Sequence, residues 1–139
     1  MERTELQEIR LCRARPLLLV VDDDQDMAND LKLLLAQAFD VITCGGSSLG
    51  MRVIEEKQPD CVLLDIDMEA HFATDRRREG LVFLRRLREQ VQSSQLSGIP
   101  VILISESQEP DADHGADDFF HKPIDLGPLV KRINELIKS

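Results

Sequence analysis

Short apolar runs alternate along this chain with longer segments in which apolar residues recur every three or four positions. A short apolar run bounded by polar or turn residues is typical of a buried strand, and the longer spacing is typical of an amphipathic helix. Because the two patterns alternate, we expect right-handed crossovers and a parallel sheet in an α/β fold. The predicted strands are 17–21, 40–44, 61–65, the run 101–104 after Pro100, and 118–121.

Helices are predicted between these strands from capping residues and from the spacing of apolar side chains. The third helix is expected to run from Leu81 to about Gln92, because residues 66–79 are predicted to form a long polar loop. Asp24 is expected to be a plain surface acid.

The predicted N-caps are Asp26 for the first helix, Ser47 or Ser48 for the second, and Asp125 for the last. The second helix is predicted to end near Lys57. The predicted apolar faces are Met27, Leu31, Leu34, Leu35 and Ala38 in the first helix, Leu81, Leu84, Leu87 and Val91 in the third, and Leu129, Ile133, Leu136 and Ile137 in the last.

The composition limits the class of protein and its partners. A chain of 139 residues with 42% hydrophobic and 31% charged residues is expected to form one globular domain without disulfide or metal support. A net charge of −9 argues against direct binding to nucleic acid or to an anionic membrane surface. No apolar run approaches the roughly 20 residues that span a bilayer. Residues 1–16 are predicted to be a charged arm rather than a signal peptide, and residues 17–139 the domain itself.

The three cysteines, Cys12, Cys44 and Cys61, are odd in number and widely spaced. This pattern predicts neither a disulfide framework nor a zinc site. Cys44 and Cys61 fall at the edges of predicted strands, where a thiol behaves as a small buried hydrophobe. We therefore expect a cytoplasmic protein in a reducing compartment.

Polar groups follow four of the predicted strands, at the point where each apolar run ends. Asp22 and Asp23 follow the first strand, Asp65 the third, Ser105 the fourth and Lys122 the fifth. In an open α/β sheet, ligands bind just beyond the carboxyl ends of the strands, so we expect these groups to converge at one edge. Magnesium is typically held by one or two carboxylates together with phosphate oxygens. The grouping therefore suits a magnesium ion and a phosphoryl group.

Phosphoryl transfer requires that the charge on the equatorial oxygens be neutralised and that the group be held in position. Lys122 offers a positive charge for one oxygen, and the Ser105 hydroxyl can donate a hydrogen bond to another. A carboxylate can itself accept the group and form an aspartyl phosphate. Asp65 is the best candidate for the acceptor, because it ends the strand expected at the centre of the sheet.

This arrangement resembles the receiver domain of two-component response regulators, the CheY-like superfamily. Five motifs carry the resemblance, in the family's order and at about its spacing, and together they reach over residues 17–138. The motifs lie at 20–23, 62–65, 104–105, 115–119 and 122–123. The resemblance implies a doubly wound, five-stranded parallel sheet with the flavodoxin-like order 2-1-3-4-5.

The resemblance also implies a role for each site residue. Asp65 would accept the phosphoryl group from the phosphohistidine of a sensor histidine kinase or a phosphotransfer protein. Mg2+ or Mn2+ would be bound by Asp22, Asp23, Asp65 and the backbone carbonyl of Asp67.

Ser105 and Lys122 would then hold the phosphoryl group. Phe119 would be the aromatic side chain that changes rotamer on activation. The peptide bond before Pro123 would be cis, which only proline tolerates at low cost.

The sequence departs from the family in three places. Gly80 follows Asp65 at a greater distance than usual, and the added residues include Glu69, His71 and the charged run 75–79. The family's fourth helix is predicted to be shortened or absent, because residues 106–114 contain one small apolar residue and a proline.

The third departure is Glu106, which stands where the family usually has a small residue. Its side chain is expected to narrow access or to add negative charge beside the phosphoryl group. Asp67 and Ser107 occupy the positions that tune the lifetime of the aspartyl phosphate in the family.

The expected function is a stand-alone receiver that is not a turnover enzyme and signals by binding an unknown downstream protein or by forming a homodimer. The alternative is that the chain is a fragment of a longer regulator. A phosphorylation-independent, degenerate receiver that acts as an interaction module is a second functional reading. A third is a phosphatase of the haloacid dehalogenase type, because Asp65 and Asp67 match its D-x-D motif. Multiple turnovers on a phosphate ester would identify the phosphatase.

Overall fold

The computed structural model of this chain describes residues 14–67, 76–90, 98–106, 109–110 and 115–138. Within these ranges, strands and helices alternate as the sequence predicts, except that no helix is described between the last two strands. The elements are β1 (Leu17–Val21), α1 (Gln25–Leu35), β2 (Asp40–Cys44), α2 (Ser47–Lys57), β3 (Cys61–Asp65), α3 (Arg76–Gln90), β4 (Val101–Ser105), β5 (Asp118–His121) and α4 (Leu126–Lys138).

The five strands form one parallel sheet in the order β2-β1-β3-β4-β5, which confirms the predicted order. β3 lies at the centre, between β1 and β4, and every residue of β3 and β4 is buried. The strand order reverses between β1 and β3, and ligands bind at such a switch point in open α/β sheets. The fold therefore places the ends of β1 and β3 side by side where a site is expected.

Helices cover both faces of the sheet, so the doubly wound architecture is confirmed. Successive residues of a strand point to opposite faces, and β1 illustrates this with Leu19 in one core and Leu18 in the other. The first core joins the sheet to α2 and α3 through Ile54 and Phe83. The second core joins it to α1 and α4, for example through Leu31.

The start of α1 differs from the prediction. Asp24, not Asp26, is the N-cap: its backbone is extended, and its side chain accepts a hydrogen bond from the Met27 N–H. Asp26 lies instead in the first helical turn, where an acid interacts favourably with the helix dipole. The apolar face is also narrower than predicted, because Leu34 is 55% exposed while Leu31 is buried.

The starts of α2 and α3 differ as well. Gly46 is the N-cap of α2 and offers no side-chain hydrogen bond, so the predicted caps Ser47 and Ser48 are wrong. α3 begins at Arg76, before the predicted Leu81, so the predicted loop is too long. Its first turn carries arginine and glutamate, which have a high helix propensity but do not produce the apolar spacing that marks an amphipathic helix.

The later part of α3 and the start of α4 follow the sequence more closely. Leu84 and Leu87 of α3 are buried as predicted, together with Phe83, which was not predicted. α4 begins directly after Asp125, whose backbone carbonyl accepts from the Leu129 N–H at 3.3 Å.

Between β4 and β5, none of the described residues is helical, namely Glu106, Glu109, Pro110 and 115–117. Several sequence predictions lie outside the described residues: most of the 1–16 arm, the 68–75 loop, Val91, and residues 107–108 and 111–114 of the β4–β5 connection. No helix in the described part of the chain has the length and apolar character needed to cross a bilayer.

Candidate functional site

Polar side chains from four strand ends lie together at the carboxyl edge of the sheet. Asp22 follows β1, Asp65 ends β3, Ser105 ends β4 and Lys122 follows β5. The carboxylate oxygens of Asp22, Asp23 and Asp65 lie within 4.8 Å of one another. The structure thus brings together the residues that the sequence places at this edge.

The loop after β1 is folded so that Asp22 is held in the site. The Asp22 N–H donates to the Cys44 carbonyl at 3.0 Å, and its carboxylate accepts from the Asp24 N–H at 2.9 Å. The Gln25 side-chain amide donates to the Asp22 carbonyl at 3.2 Å. A Cβ at Gly45 would lie 2.8 Å from the Gln25 Nε2, so a glycine there leaves room for this amide. Sequence analysis did not identify Gln25, because no local pattern signals a side chain that supports a neighbouring backbone carbonyl.

Lys122 bridges the two buried carboxylates. Its Nζ lies 3.5 Å from the Oδ2 of Asp22 and 3.5 Å from the Oδ2 of Asp65. The side chains are only 3%, 5% and 10% exposed for Asp22, Asp65 and Lys122. The second oxygen of Asp65 accepts from the Asp67 N–H at 2.9 Å, which fixes the plane of the carboxylate.

The electrostatics of the site reflect an excess of negative charge. Burial, followed by the hydrogen bond and charge of Asp65, raises the pKa of Asp22 to about 7, although the Asp24 N–H and Lys122 oppose the rise. Burial alone would lower the pKa of Lys122, but the two carboxylates outweigh it and raise this pKa above its ordinary value.

These observations test whether a divalent cation fits. Three carboxylates lie close together, and their oxygen atoms are the ligands that a hard cation prefers. Lys122 brings only one positive charge to this cluster. Burial and then the neighbouring Asp65 raise the pKa of Asp22, so the ionised form of Asp22 is disfavoured here. Asp22, Asp23 and Asp65 therefore fit a magnesium or manganese ion, and a ligand role for the Asp67 carbonyl stays a prediction.

Ser105 forms a hydrogen bond with the Asp67 side chain, a contact that sequence analysis did not predict. Its hydroxyl is buried and donates to the Oδ2 of Asp67 at 2.6 Å. The Glu106 N–H donates to the same oxygen at 3.0 Å. The family resemblance implies a ligand role for the Asp67 carbonyl and a tuning role for its position. The contact of its side chain with Ser105 joins the ends of two strands, and no local pattern in the sequence signals it.

The remaining predicted residues lie around this cluster. Phe119 is partly buried and packs on the core shared by α2 and α3. Glu106 is exposed, and Ser107 lies outside the described residues. The Lys122-Pro123 peptide bond is cis, as expected. The switching role of Phe119 and the tuning roles of Glu106 and Ser107 stay predictions.

The chain matches a known family over most of its length. The family model of the response regulator receiver domain matches residues 18–134. The DNA-binding response regulator MtrA of Mycolicibacterium smegmatis is 28% identical over 130 residues, which cover 89% of this chain and 51% of that protein. The transcriptional regulatory protein PrrA of Mycobacterium tuberculosis is 30% identical over 129 residues, which cover 88% of this chain and 50% of that protein. This chain spans about half the length of the curated relatives it matches.

Solved structures share the fold. The receiver domain of the Francisella response regulator 1452 superposes with a TM-score of 0.73 at 25% identity, covering 89% of this chain and 98% of that one. A putative response regulator of Chloroflexus aurantiacus gives a TM-score of 0.74 at 23% identity, covering 90% and 99%.

Proposed function

This chain belongs to the family of response regulator receiver domains of two-component systems, and from this we propose that it is a phosphoacceptor switch. A sensor histidine kinase or a phosphotransfer protein donates a phosphoryl group to Asp65. The chain accepts one group and is not a turnover enzyme. We place the receiver at 17–139 and the charged arm at 1–16, in the cytoplasm, where free thiols such as Cys44 and Cys61 persist.

The observation that carries this proposal is the contact of Lys122 with Asp65. A buried carboxylate at the end of the central strand has a cation 3.5 Å from one of its oxygens. A phosphoryl group of about −2 charge on that oxygen needs such a cation, since it cannot be buried uncompensated. The ammonium group of Lys122 already lies where it can compensate the negative charge of a phosphoryl group on Asp65.

Asp22, Asp23 and Asp65 would hold a Mg2+ or Mn2+ ion, together with the Asp67 carbonyl. Bound there, the ion would neutralise charge on the phosphoryl oxygens during transfer. The proximity of Asp22 and Asp65 supports this assignment, because burial, followed by the hydrogen bond and charge of Asp65, raises the pKa of Asp22, and a bound cation would favour its ionised form.

In the proposed transfer step, the Asp65 carboxylate is the nucleophile. One of its carboxylate oxygens forms a bond to phosphorus while the bond from phosphorus to the donor's imidazole nitrogen breaks. The imidazole leaves with the electron pair, and the product is an aspartyl phosphate. Lys122 and Ser105 then bind phosphoryl oxygens, and the shift of Ser105 and Phe119 passes the signal to a downstream protein or to a second copy of the chain. No direct contact with nucleic acid is part of the proposal.

The test is intact-mass spectrometry after incubation with acetyl phosphate, with and without Mg2+. We expect a gain of one phosphoryl mass that requires Mg2+ and is absent in Asp65→Ala. The control is Asp30→Ala, which removes an exposed carboxylate on α1 and should leave the gain intact.

Two other outcomes would overturn the proposal. If folded protein gains no phosphoryl group, the chain is a phosphate-independent interaction module, and Glu106→Ala becomes the first variant to examine. If acetyl phosphate is consumed in many turnovers with Asp65 required, the chain is a phosphatase of the haloacid dehalogenase type.

A further inference from the structure

One oxygen of the Asp67 carboxylate holds two hydrogen-bond donors at the end of β4. It accepts from the Ser105 hydroxyl at 2.6 Å and from the Glu106 N–H at 3.0 Å. The Asp67 N–H meanwhile donates to Asp65, so the segment that carries Asp67 is fixed beside the phosphoacceptor. A carboxylate is an anion with oxygen acceptors, and in this contact it resembles the phosphoryl group that the Ser105 hydroxyl would meet on Asp65.

The Ser105 hydroxyl has a single proton to donate. While that proton is shared with Asp67, it is not available to a phosphoryl oxygen on Asp65. Hydrogen bonds to a charged acceptor are shorter and stronger than neutral ones, and the 2.6 Å distance belongs to that class. Ser105 is fully buried, so its hydroxyl is shielded from water, while Asp67 is partly buried.

We propose that Asp67 is a positioning residue: its carboxylate holds Ser105 and the Glu106 N–H as an intramolecular stand-in for the phosphoryl group, and phosphorylation must displace it. This inference rests on the proposed phosphoacceptor function and adds a competition within it. The unphosphorylated protein has its β4 end held by Asp67, and the phosphorylated protein has it held by the group on Asp65. The strength of the Asp67 contact then sets how readily the switch turns on.

The competition predicts a coupling between two side chains. Asp67→Ala frees Ser105, so a phosphoryl analogue should bind more tightly by about fivefold, which corresponds to the roughly 1 kcal/mol net contribution of one hydrogen bond. In a Ser105→Ala background the freed donor is gone, so the same Asp67→Ala change should have an effect of less than about twofold. Simple charge repulsion between Asp67 and the phosphoryl group would give the same effect in both backgrounds, since it does not require the hydroxyl.

The experiment measures the apparent Kd of beryllofluoride with Mg2+ for the wild type, the two single variants and the double variant. Asp67→Asn is the matched control, because its amide oxygen can still accept from Ser105 while the charge is removed. We expect Asp67→Asn to tighten binding less than Asp67→Ala does. Hydrogen exchange of the Glu106 amide in the analogue-free protein reports the contact directly, and should be several-fold faster in Asp67→Ala.

Each outcome decides a different claim. Equal effects of Asp67→Ala with and without the Ser105 hydroxyl would overturn the competition while leaving the phosphoacceptor function standing. Unchanged exchange of the Glu106 amide in Asp67→Ala would overturn it as well. Absence of analogue binding and of phosphorylation at Asp65 in every protein would overturn the proposed function, and the inference with it.

Discussion

Gly80 in α3 lies against Ile66, the residue directly after Asp65. A Cβ at Gly80 would be 2.6 Å from the Ile66 Cα and 3.2 Å from the Asp65 carbonyl oxygen. The helix therefore touches the backbone that carries the proposed phosphoacceptor. The connection between Asp65 and Gly80 is longer than is usual in the family, and Gly80, in the second turn of α3, still lies against Ile66.

The contact predicts that Gly80→Ala destabilises the protein. In an open helical position this change stabilises by up to about 1 kcal/mol. Here the added carbon meets backbone that cannot rotate away, so we expect a net loss of about 1–3 kcal/mol in the free energy of unfolding. Urea unfolding followed by circular dichroism measures this loss.

The matched control is Gly127→Ala in α4, where a Cβ would meet nothing within 4 Å. We expect that variant to be neutral or slightly more stable. An equal change in the free energy of unfolding for the two alanine variants would show that the close approach of Gly80 to Ile66 does not affect stability.

Lys122→Met should destabilise the metal-free protein at pH 8. The change keeps most of the side-chain volume but leaves Asp22 and Asp65 buried beside each other without their shared cation. Removing one partner of a buried ion pair costs about 3–5 kcal/mol, and protonation of one acid limits this, so we expect a loss of about 2–4 kcal/mol. Urea unfolding in EDTA measures it, and Lys131→Met, at an exposed position of α4, is the control with little expected change.

The strands and the location of the site could be predicted because both depend on local patterns. Short apolar runs such as Cys61–Asp65 mark buried strands, and residues at their carboxyl ends must meet at one edge of a parallel sheet. The caps were harder: Asp24 and Asp26 are equally suitable residue types, and only the extended backbone of Asp24 decides between them. The contact of Asp67 with Ser105 joins distant parts of the chain, so no pattern along the sequence reports it.

The start of α3 could not be predicted for a related reason. The first turn, from Arg76, has no apolar residue to mark a buried face, and the sequence therefore resembles a polar loop. The packing of Gly80 on Ile66 is a tertiary contact near this end of the helix, and no pattern along the sequence reports it. Helix propensity alone is a weak guide beside such contacts.

Arg88 is predicted to stabilise the far end of the sheet. It donates to the carbonyl oxygens of Ile99 at 2.7 Å and Gly115 at 3.1 Å, and to the Asp117 carboxylate at 3.1 Å. The same Asp117 oxygen accepts from the Val101 N–H at 2.8 Å. Arg88→Met removes the side-chain donor from the Ile99 and Gly115 carbonyls and leaves the Asp117 oxygen with the Val101 N–H. Because the ion pair with Asp117 is partly solvated, we expect a loss of about 1–2 kcal/mol in unfolding free energy.

Arg85→Met, at an exposed position of the same helix, is the control for charge and for helix propensity. Its expected change is within about 0.5 kcal/mol. If both arginine variants unfold alike in urea, the three contacts of Arg88 do not stabilise the fold.

Asp22 is predicted to make the metal-free protein less stable as the pH rises. Its pKa is raised to about 7 in the folded protein, mainly by burial and by Asp65, whereas an unfolded aspartate titrates near 4. The folded state therefore binds more protons between these values, and stability is lost as the pH rises from about 4 through 7. We expect a loss on the order of 2 kcal/mol between pH 5 and pH 8 in EDTA, since one pKa unit corresponds to about 1.4 kcal/mol.

Two comparisons test this assignment by urea unfolding at both pH values. Asp22→Asn stays neutral at every pH, so the loss should shrink by more than half in that variant. Saturating Mg2+ should stabilise the wild type more at pH 8 than at pH 5, because the deprotonated carboxylates are the ones that bind a cation. A wild type whose stability in EDTA is the same at pH 5 and pH 8, or rises, would show that Asp22 is ionised throughout and that Lys122 alone balances the cluster.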